Sequence, residues 1–378
     1  MKDIYFDHAA TTPVHPQVLE EMNPFFQNAF GNPSSVHRFG REVKTAIDSA
    51  RDAIALSLHT TSNQIIFTSG GTEADNMVLF GIALANRDRG NHIITSSIEH
   101  HAVLHSCEYL EKMGFEVTYL PVDQTGKVSI EDVLRALKDS TILISVMYGN
   151  NEVGTIQPIN EIGMIAREAG VYFHTDAVQA YGVLELNLSE LPVDLLSLSS
   201  HKINGPKGVG ALFMSKGVKA NPHLLGGSQE KKRRGGTENV PGIVGFGKAA
   251  KLMVNTLEER RQKYFEMREA MLSIWRDSGI EFTINGHPTD FLPHILNVSF
   301  LGIDTEVMLM NMDIEGIFCS SGSACTAGSL EPSHVLVAMN IEQERIHSAV
   351  RFSFGLYNDV DQAIYVANKV VEVVRRLS

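Results

Sequence analysis

From about residue 40 onward, apolar positions switch repeatedly between a helical and a strand period, and this alternation leaves the chain few architectures to adopt. Val43, Ala46, Ile47, Ala50, Ala53 and Ile54 follow the spacing of an amphipathic helix, and "QIIFTS" then reads as a short buried strand. A helical pattern in "EADNMVLFGIALA" comes next, followed by strands at "HIITSS", "EVTYLPV", "TILISVMY", "VYFHTDAV", "DLLSLSS" and "GALFMS", with helical segments between most of them. Strands and helices alternating at these lengths predict an α/β fold whose largely parallel sheet is covered on both faces. After about residue 250 the pattern changes. The long charged helix "LEERRQKYFEMREAMLSIW" leads into sparser strands at "HILNVSF", "GIFCSS" and "VRFSFG", which predicts a second, smaller α+β domain. A chain of 378 residues is long enough for both.

Composition narrows the function classes. With 43% hydrophobic and 20% charged residues the chain is globular, and no apolar run approaches the roughly 20 residues of a spanning helix. The start "MKDIYFDHAATTP" has neither the basic-then-apolar pattern of a signal peptide nor the arginine-rich character of a transit peptide, so a cytoplasmic location is expected. A net charge of −12 disfavours direct nucleic-acid binding as the main task, and the short basic run "EKKRRGG" lacks interleaved aromatics and reads as a solvated loop. The three cysteines, Cys107, Cys319 and Cys325, form no C-x-x-C pair, and neither a disulfide framework nor a metal site is expected. Cys107 and Cys319 lie in apolar patterns and read as core residues. Cys325 is different, because "SSGSACTAGSL" surrounds it with small and hydroxylated residues that bury little, as suits an exposed reactive thiol.

Ligands of open α/β sheets bind beyond the carboxyl ends of strands. After "QIIFT" comes "SGGTEAD", where Gly70 and Gly71 permit close backbone approach and Thr72 to Asp75 has capping-box spacing; the helix start that follows suits a phosphate. Asp176 and Gln179 follow "VYFHT", and Ser200, His201 and Lys202 follow "LLSLS". A lysine just past a buried strand is easily desolvated and able to form a Schiff base, and an aspartate at a neighbouring strand end suits the protonated ring nitrogen of pyridoxal phosphate. Singly, Lys202 reads as a surface lysine and Asp176 as a helix cap; together with a phosphate cradle they point to the cofactor.

The strings "FDHAATTP", "GNPSSVHRFG", "FTSGGTEADN", "EHHAVL", "NNEVGTIQPI", "HTDAVQ", "SSHKINGPKGVGAL", "RRGGTENV", "SSGSACTAGSLEPSHVL" and "RFSFG" resemble, in order, the NifS/IscS group of cysteine desulfurases. These are fold-type-I pyridoxal 5'-phosphate enzymes of the class-V aminotransferase family. The resemblance implies a large cofactor domain over residues 16–250 and a small domain of residues 1–15 and 251–378 carrying the cysteine loop. It implies that Lys202 holds the cofactor, that Asp176 pairs with its ring nitrogen, that Gln179 and Asn151 lie near its ring hydroxyl, and that His100 stacks on the ring. Gly71, Thr72, Ser199 and His201 match phosphate binders, and Thr237 matches a phosphate contact given across a homodimer interface. Arg351, with Asn151, matches the substrate-carboxylate site. The residues alone do not separate His100 from His101, or mark Arg351 as more than a strand residue.

The implied activity converts L-cysteine to L-alanine, with sulfur taken by Cys325 as a persulfide, His100 serving in acid-base work, and a protein acceptor next in line. Housekeeping members of the group often continue past the last helix with a scaffold-docking tail, whereas this sequence closes at "VVRRLS". That departure argues against direct docking on an iron-sulfur scaffold and leaves open a tRNA-thiolating enzyme, a scaffold with another docking mode, or several acceptors. Two alternatives accompany the reading. A selenocysteine lyase would share Lys202, Asp176 and His100, although that branch usually carries an "R-x-G-x-x-C" loop. A regulatory or scaffold protein would keep the fold without turnover, and the intact set of Lys202, Cys325 and Arg351 argues against it. A carrier thiol must move between cofactor and acceptor, so mobility is expected over residues 321–329.

Overall fold

The computed structural model describes residues 3–322 and 332–377. Twelve strands run in chain order as β1 (Ile4–Tyr5), β2 (Ile65–Thr68), β3 (His92–Ser96), β4 (Glu116–Leu120), β5 (Thr141–Ser145), β6 (Tyr172–Asp176), β7 (Leu195–Ser199), β8 (Gly210–Met214), β9 (Thr283–Asn285), β10 (Ile295–Ser299), β11 (Ile317–Phe318) and β12 (Ala349–Ser353). Seven of them form one sheet in the order β2-β8-β7-β6-β5-β3-β4. All its neighbours are parallel except at β8, which is antiparallel to both β2 and β7. Strands β2, β3, β5, β7 and β8 are buried at every position, as a sheet covered on both faces requires.

The helix Arg38–Ser57 extends the periodic stretch seen in the sequence and buries Val43, Ile47, Ala50 and Ile54 along one face. It packs with Val240–Val254 on one side of the sheet, where Gly247 is needed because a Cβ there would come within 2.6 Å of Ala50. Helix Gly71–Ala85 covers the other side with Val103, Cys107 and Leu110 of helix His101–Lys112.

A separate hydrophobic core gathers Ile4 and Phe6 from the N-terminus with Met267, Met271 and Trp275 of helix Leu257–Ser278, the strands β10 and β12, and Val366, Val370 and Val374 of helix Val360–Leu377. Its three-stranded antiparallel sheet has the order β12-β10-β9, and β1 pairs with β11 beside it. Helix Leu257–Ser278 ends at Gly279, whose φ of 73° is the left-handed cap that glycine adopts without steric cost. No described helix is long and apolar enough to cross a membrane.

Candidate active site

The carboxyl ends of β2, β3, β5, β6 and β7 open into one cavity of about 310 Å³. Gly71, Thr72, His100, Asn151, Asp176, Gln179, Ser199, His201, Lys202 and Arg351, all singled out in the sequence, line it together with Ala9, Ala10, Asp75, Met147, Gly149, Val178 and Gly322. Thr237 is exposed and outside this lining, and Cys325 lies outside the described residues, three positions after Gly322. The stretch 321–329 falls largely in the same undescribed part of the chain.

Asp176 is the last residue of β6, and Lys202 closes the short 3-10 turn Ser200–Lys202 that follows the adjacent strand β7. Asp176 Oδ1 accepts the Val178 amide at 2.9 Å. Burial pushes its carboxyl up to about 6, against the pull of that bond and of the Lys202 cation. Lys202 Nζ donates to the carbonyls of Ala9 and, at 2.7 Å, of Ala10, while Gln179 Nε2 donates to Ala9 O at 3.0 Å. The N-terminal segment is thus part of the site, which nothing in the sequence beyond the string "FDHAATTP" indicates.

The cradle departs from the capping-box expectation. The helix starts at Gly71 with Gly70 as its N-cap and no side-chain cap, so Thr72 lies inside the first turn. The reciprocal bond instead runs from the Ser69 amide to Glu73 Oε2 at 2.9 Å, and Asp75 faces the cavity wall. A Cβ on Gly71 would lie 2.8 Å from Val178 Cγ2, so glycine is what lets this helix start approach the ends of β6 and β7.

His100 and His101 separate clearly. His100 lines the cavity and caps helix His101–Lys112, whereas His101 stacks with His105 and contacts His334 at ring distances of 5.0 and 4.6 Å. Burial, followed by the charges of Lys202 and the neighbouring histidines, pulls the His100 imidazole down to about 4. No group of described residues is placed to hold a metal ion.

Arg351, on β12, is 2% exposed and reaches the cavity from the second core. Its Nη1 donates to the carbonyls of Asn151 (2.8 Å) and Gly322 (3.2 Å), and its Nη2 to Asp7 Oδ1 (2.8 Å). Asn151 and Glu152 are fixed from behind by Asn150, which accepts the Glu152 and Val153 amides at 2.8 and 3.0 Å and donates to Ile98 O.

Beneath Asp176 is a buried polar layer that the sequence reading missed. His174 bonds Ser145 Oγ at 2.8 Å and Ser197 Oγ at 2.9 Å, with Asp75 Oδ1 3.6 Å from its Nε2. Burial and the nearby Asp176 raise the Asp75 carboxyl, and burial pushes Glu99 up to about 8. The two-residue period of a strand puts His174 and Asp176 on the same face of β6 and would have flagged them as neighbours. Cys107 is buried, and Cys319 packs against the second core, where burial and the Asp7 charge push its thiol up.

A parallel sheet with a lysine and a buried aspartate at neighbouring strand ends, and an uncapped helix start beside them, has the donor set that pyridoxal phosphate needs: an amine, a carboxylate for the ring nitrogen, and free amides for the phosphate. The class-V aminotransferase profile matches residues 4–366. The "Putative cysteine desulfurase IscS 1" of Bacillus subtilis (strain 168) is 54% identical over 100% of both chains, and the "Cysteine desulfurase IscS" of Methanosarcina thermophila is 52% identical over 100% of this chain and 94% of its own. Among solved structures, a "NifS-like protein" superposes with a TM-score of 0.93 at 37% identity, covering 99% of this chain and 100% of the other. "SspA in complex with cysteine" superposes with a TM-score of 0.83 at 36% identity, covering 93% and 98%. The chain belongs to the class-V aminotransferase family and, within it, to the cysteine desulfurases.

Proposed function

We propose that this protein takes sulfur from L-cysteine, leaving L-alanine, and carries it on Cys325 as a persulfide to a protein acceptor for iron-sulfur cluster assembly or tRNA thiolation. The observation that carries the reading is the convergence of Lys202, Asp176, the Gly71–Thr72 helix start and Arg351 on one cavity. A cytoplasmic homodimer in which Thr237 serves the partner's cofactor is part of the proposal. So is the division into domains of residues 16–250 and of residues 1–15 with 251–378; the core that gathers Ile4, Phe6 and Ala9 with helices Leu257–Ser278 and Val360–Leu377 supports it.

Bound in the cavity, pyridoxal phosphate supplies the electron sink that makes the substrate α-proton removable and its carbon–sulfur bond cleavable. Lys202 would hold the cofactor, and its amine would move the substrate α-proton. Asp176 keeps the ring nitrogen protonated, and a cation opposite its carboxylate offsets the upward push of burial. Gln179, Asn151 and His100 would position the ring, and Gly71, Thr72, Ser199 and His201 would hold the phosphate. Arg351 fixes the substrate carboxylate with its planar fork. The Cys325 thiolate then attacks the substrate sulfur: the new S–S bond forms as the Cβ–S bond breaks.

The test is Cys325→Ala. The variant is expected to keep the cofactor absorbance and its spectral response to L-cysteine while persulfide formation and sulfur delivery cease. Normal sulfur delivery by this variant would remove Cys325 from the role. Rates on L-cysteine and L-selenocysteine measure the preference between the two substrates.

A further inference from the structure

The guanidinium of Arg351 is engaged before any substrate arrives. Of its five N–H bonds, both on Nη1 go to the Asn151 and Gly322 carbonyls and one on Nη2 goes to Asp7 Oδ1. Nε has no partner among the described residues. Among the described residues, that leaves Nε–H and one Nη2–H over for a carboxylate. Arg351 lines the cavity and Asp7 does not, so Asp7 contacts the cation without contacting the space a ligand would fill.

Asp7 is held there independently of Arg351. It bridges Ser353 in parallel pairing, its carbonyl accepts the Ala10 amide at 3.1 Å, and the Ala9 amide donates to Ser353 Oγ at 2.8 Å. The segment that places Asp7 is also the one that offers the Ala9 and Ala10 carbonyls to Lys202.

We propose that Asp7 is the resident counter-ion of Arg351, a positioning residue that keeps the guanidinium paired and oriented and, through its own negative charge, sets how tightly substrate and product carboxylates bind. The proposal rests on the reading of Arg351 as the carboxylate site. Two carboxylates sharing one guanidinium repel each other in a poorly solvated wall, while a buried cation that has lost its partner gains more from the next anion to arrive. Removing the charge of Asp7 but not its shape should therefore tighten carboxylate binding, the opposite of what damage to a merely structural contact would do.

The experiment is calorimetric titration of the holoenzyme with L-alanine and with ethylamine, which keeps the amine and lacks the carboxylate. In Asp7→Asn, whose amide oxygen still accepts from Nη2, L-alanine is expected to bind roughly tenfold tighter with ethylamine unchanged. Unchanged or weaker L-alanine binding overturns the proposal. Asp7→Glu keeps the charge and is expected to bind L-alanine within about threefold of the parent; a Glu variant as tight as the expected Asn variant overturns it too, even if Asp7→Asn does not fold. Arg351→Gln separates the two readings. If it weakens L-alanine and spares ethylamine while Asp7→Asn fails to tighten, the counter-ion role alone falls; if it spares both ligands, Arg351 is not the carboxylate site.

Discussion

His100 enters the cavity as the N-cap of helix His101–Lys112, with φ −60° and ψ 147°, and its Nδ1 accepts the Ala102 amide at 3.1 Å. An accepting Nδ1 carries no proton, and the imidazole is neutral at pH 7 because burial pulls it down to about 4. The remaining proton therefore sits on Nε2, so His100 presents an N–H donor there, and it can take up a further proton only at Nδ1, by giving up the cap. Asparagine is also a strong N-cap, which lets the two roles be separated. His100→Asn is expected to lose most turnover while keeping its urea midpoint near that of the parent, whereas His100→Ala should lose turnover and about 1 kcal/mol of stability. Equal stability of the two variants would show that the cap contributes nothing. Sequence placed His100 and His101 side by side with no means of choosing from the residues alone, because the choice depends on where the helix begins. The family strings favour His100, and the cap supplies the physical reason.

Strands of four or more residues were readable, most of them because burial on both faces leaves continuous apolar strings, as in "QIIFT" and "TILIS". Strand β1 has only two residues and β9 three, too few to show a period, and the antiparallel direction of β8 follows from pairing that no local pattern encodes. For the same reason Asp7 was visible as part of a string and not as a partner of Arg351, a contact spanning 344 positions. The basic run "EKKRRGG" read as a solvated loop, and its first residue shows what that reading misses. Glu230 is buried in a two-bond pair with Arg51 at 2.6 and 2.8 Å and also accepts the Phe67 amide of β2 at 3.1 Å. Glu230, Lys231 and Lys232 all have positive φ, of 44°, 56° and 67°, a conformation that costs each of them about 1–2 kcal/mol. The Glu230 anchor offsets that strain, and Arg234, four residues on, ties the same segment to Glu73 in the first turn of the cradle helix at 2.8 Å. Glu230→Ala leaves Arg51 buried without its partner and is expected to destabilise the protein by about 3–5 kcal/mol. It should also speed cofactor loss on dialysis, since the segment braces the helix start at Gly71. A Glu230→Ala protein that melts and retains cofactor like the parent would mean the segment is held some other way.

Four buried hydrophobic clusters hold the described residues together: one on each face of the large sheet, the second core around helix Leu257–Ser278 that the change of pattern near residue 250 foreshadowed, and a smaller one joining Ile98, Met147 and Val153 to Val335, Leu336 and Met339. The exception is instructive: Ile4, Phe6 and Ala9 join the second core from the far end of the chain, a closure that periodicity cannot announce. The polar groups sealed between and beneath these cores were still less legible, because burial of a histidine depends on its surroundings rather than its neighbours in sequence. Burial, first among the causes in each case, pulls His8, His100 and His201 down to about 4 and His174 and His294 to about 3. An unfolded chain protonates these imidazoles near pH 6.5, so between that value and about pH 4 it binds protons that the folded protein refuses, and stability falls as pH falls. Asp75, Glu99 and Asp176 oppose this. Their carboxyls are raised, Glu99 to about 8 and Asp176 to about 6, so the folded state keeps protons that the unfolded state releases above pH ~4, and their contribution is lost as pH rises. The lowered imidazoles outnumber the raised carboxyls, so near pH ~5.5 the unfolded chain binds more protons than the folded one and stability falls as pH falls. The urea midpoint of the cofactor-free protein should accordingly drop clearly between pH 7 and pH 5.5. A midpoint that holds or rises over that interval would mean that the buried carboxyls outweigh the histidines. On the proposed pairing of Asp176 with a cationic ring nitrogen, bound cofactor would remove one of the three opposing carboxyls, so the drop should steepen in the holoenzyme.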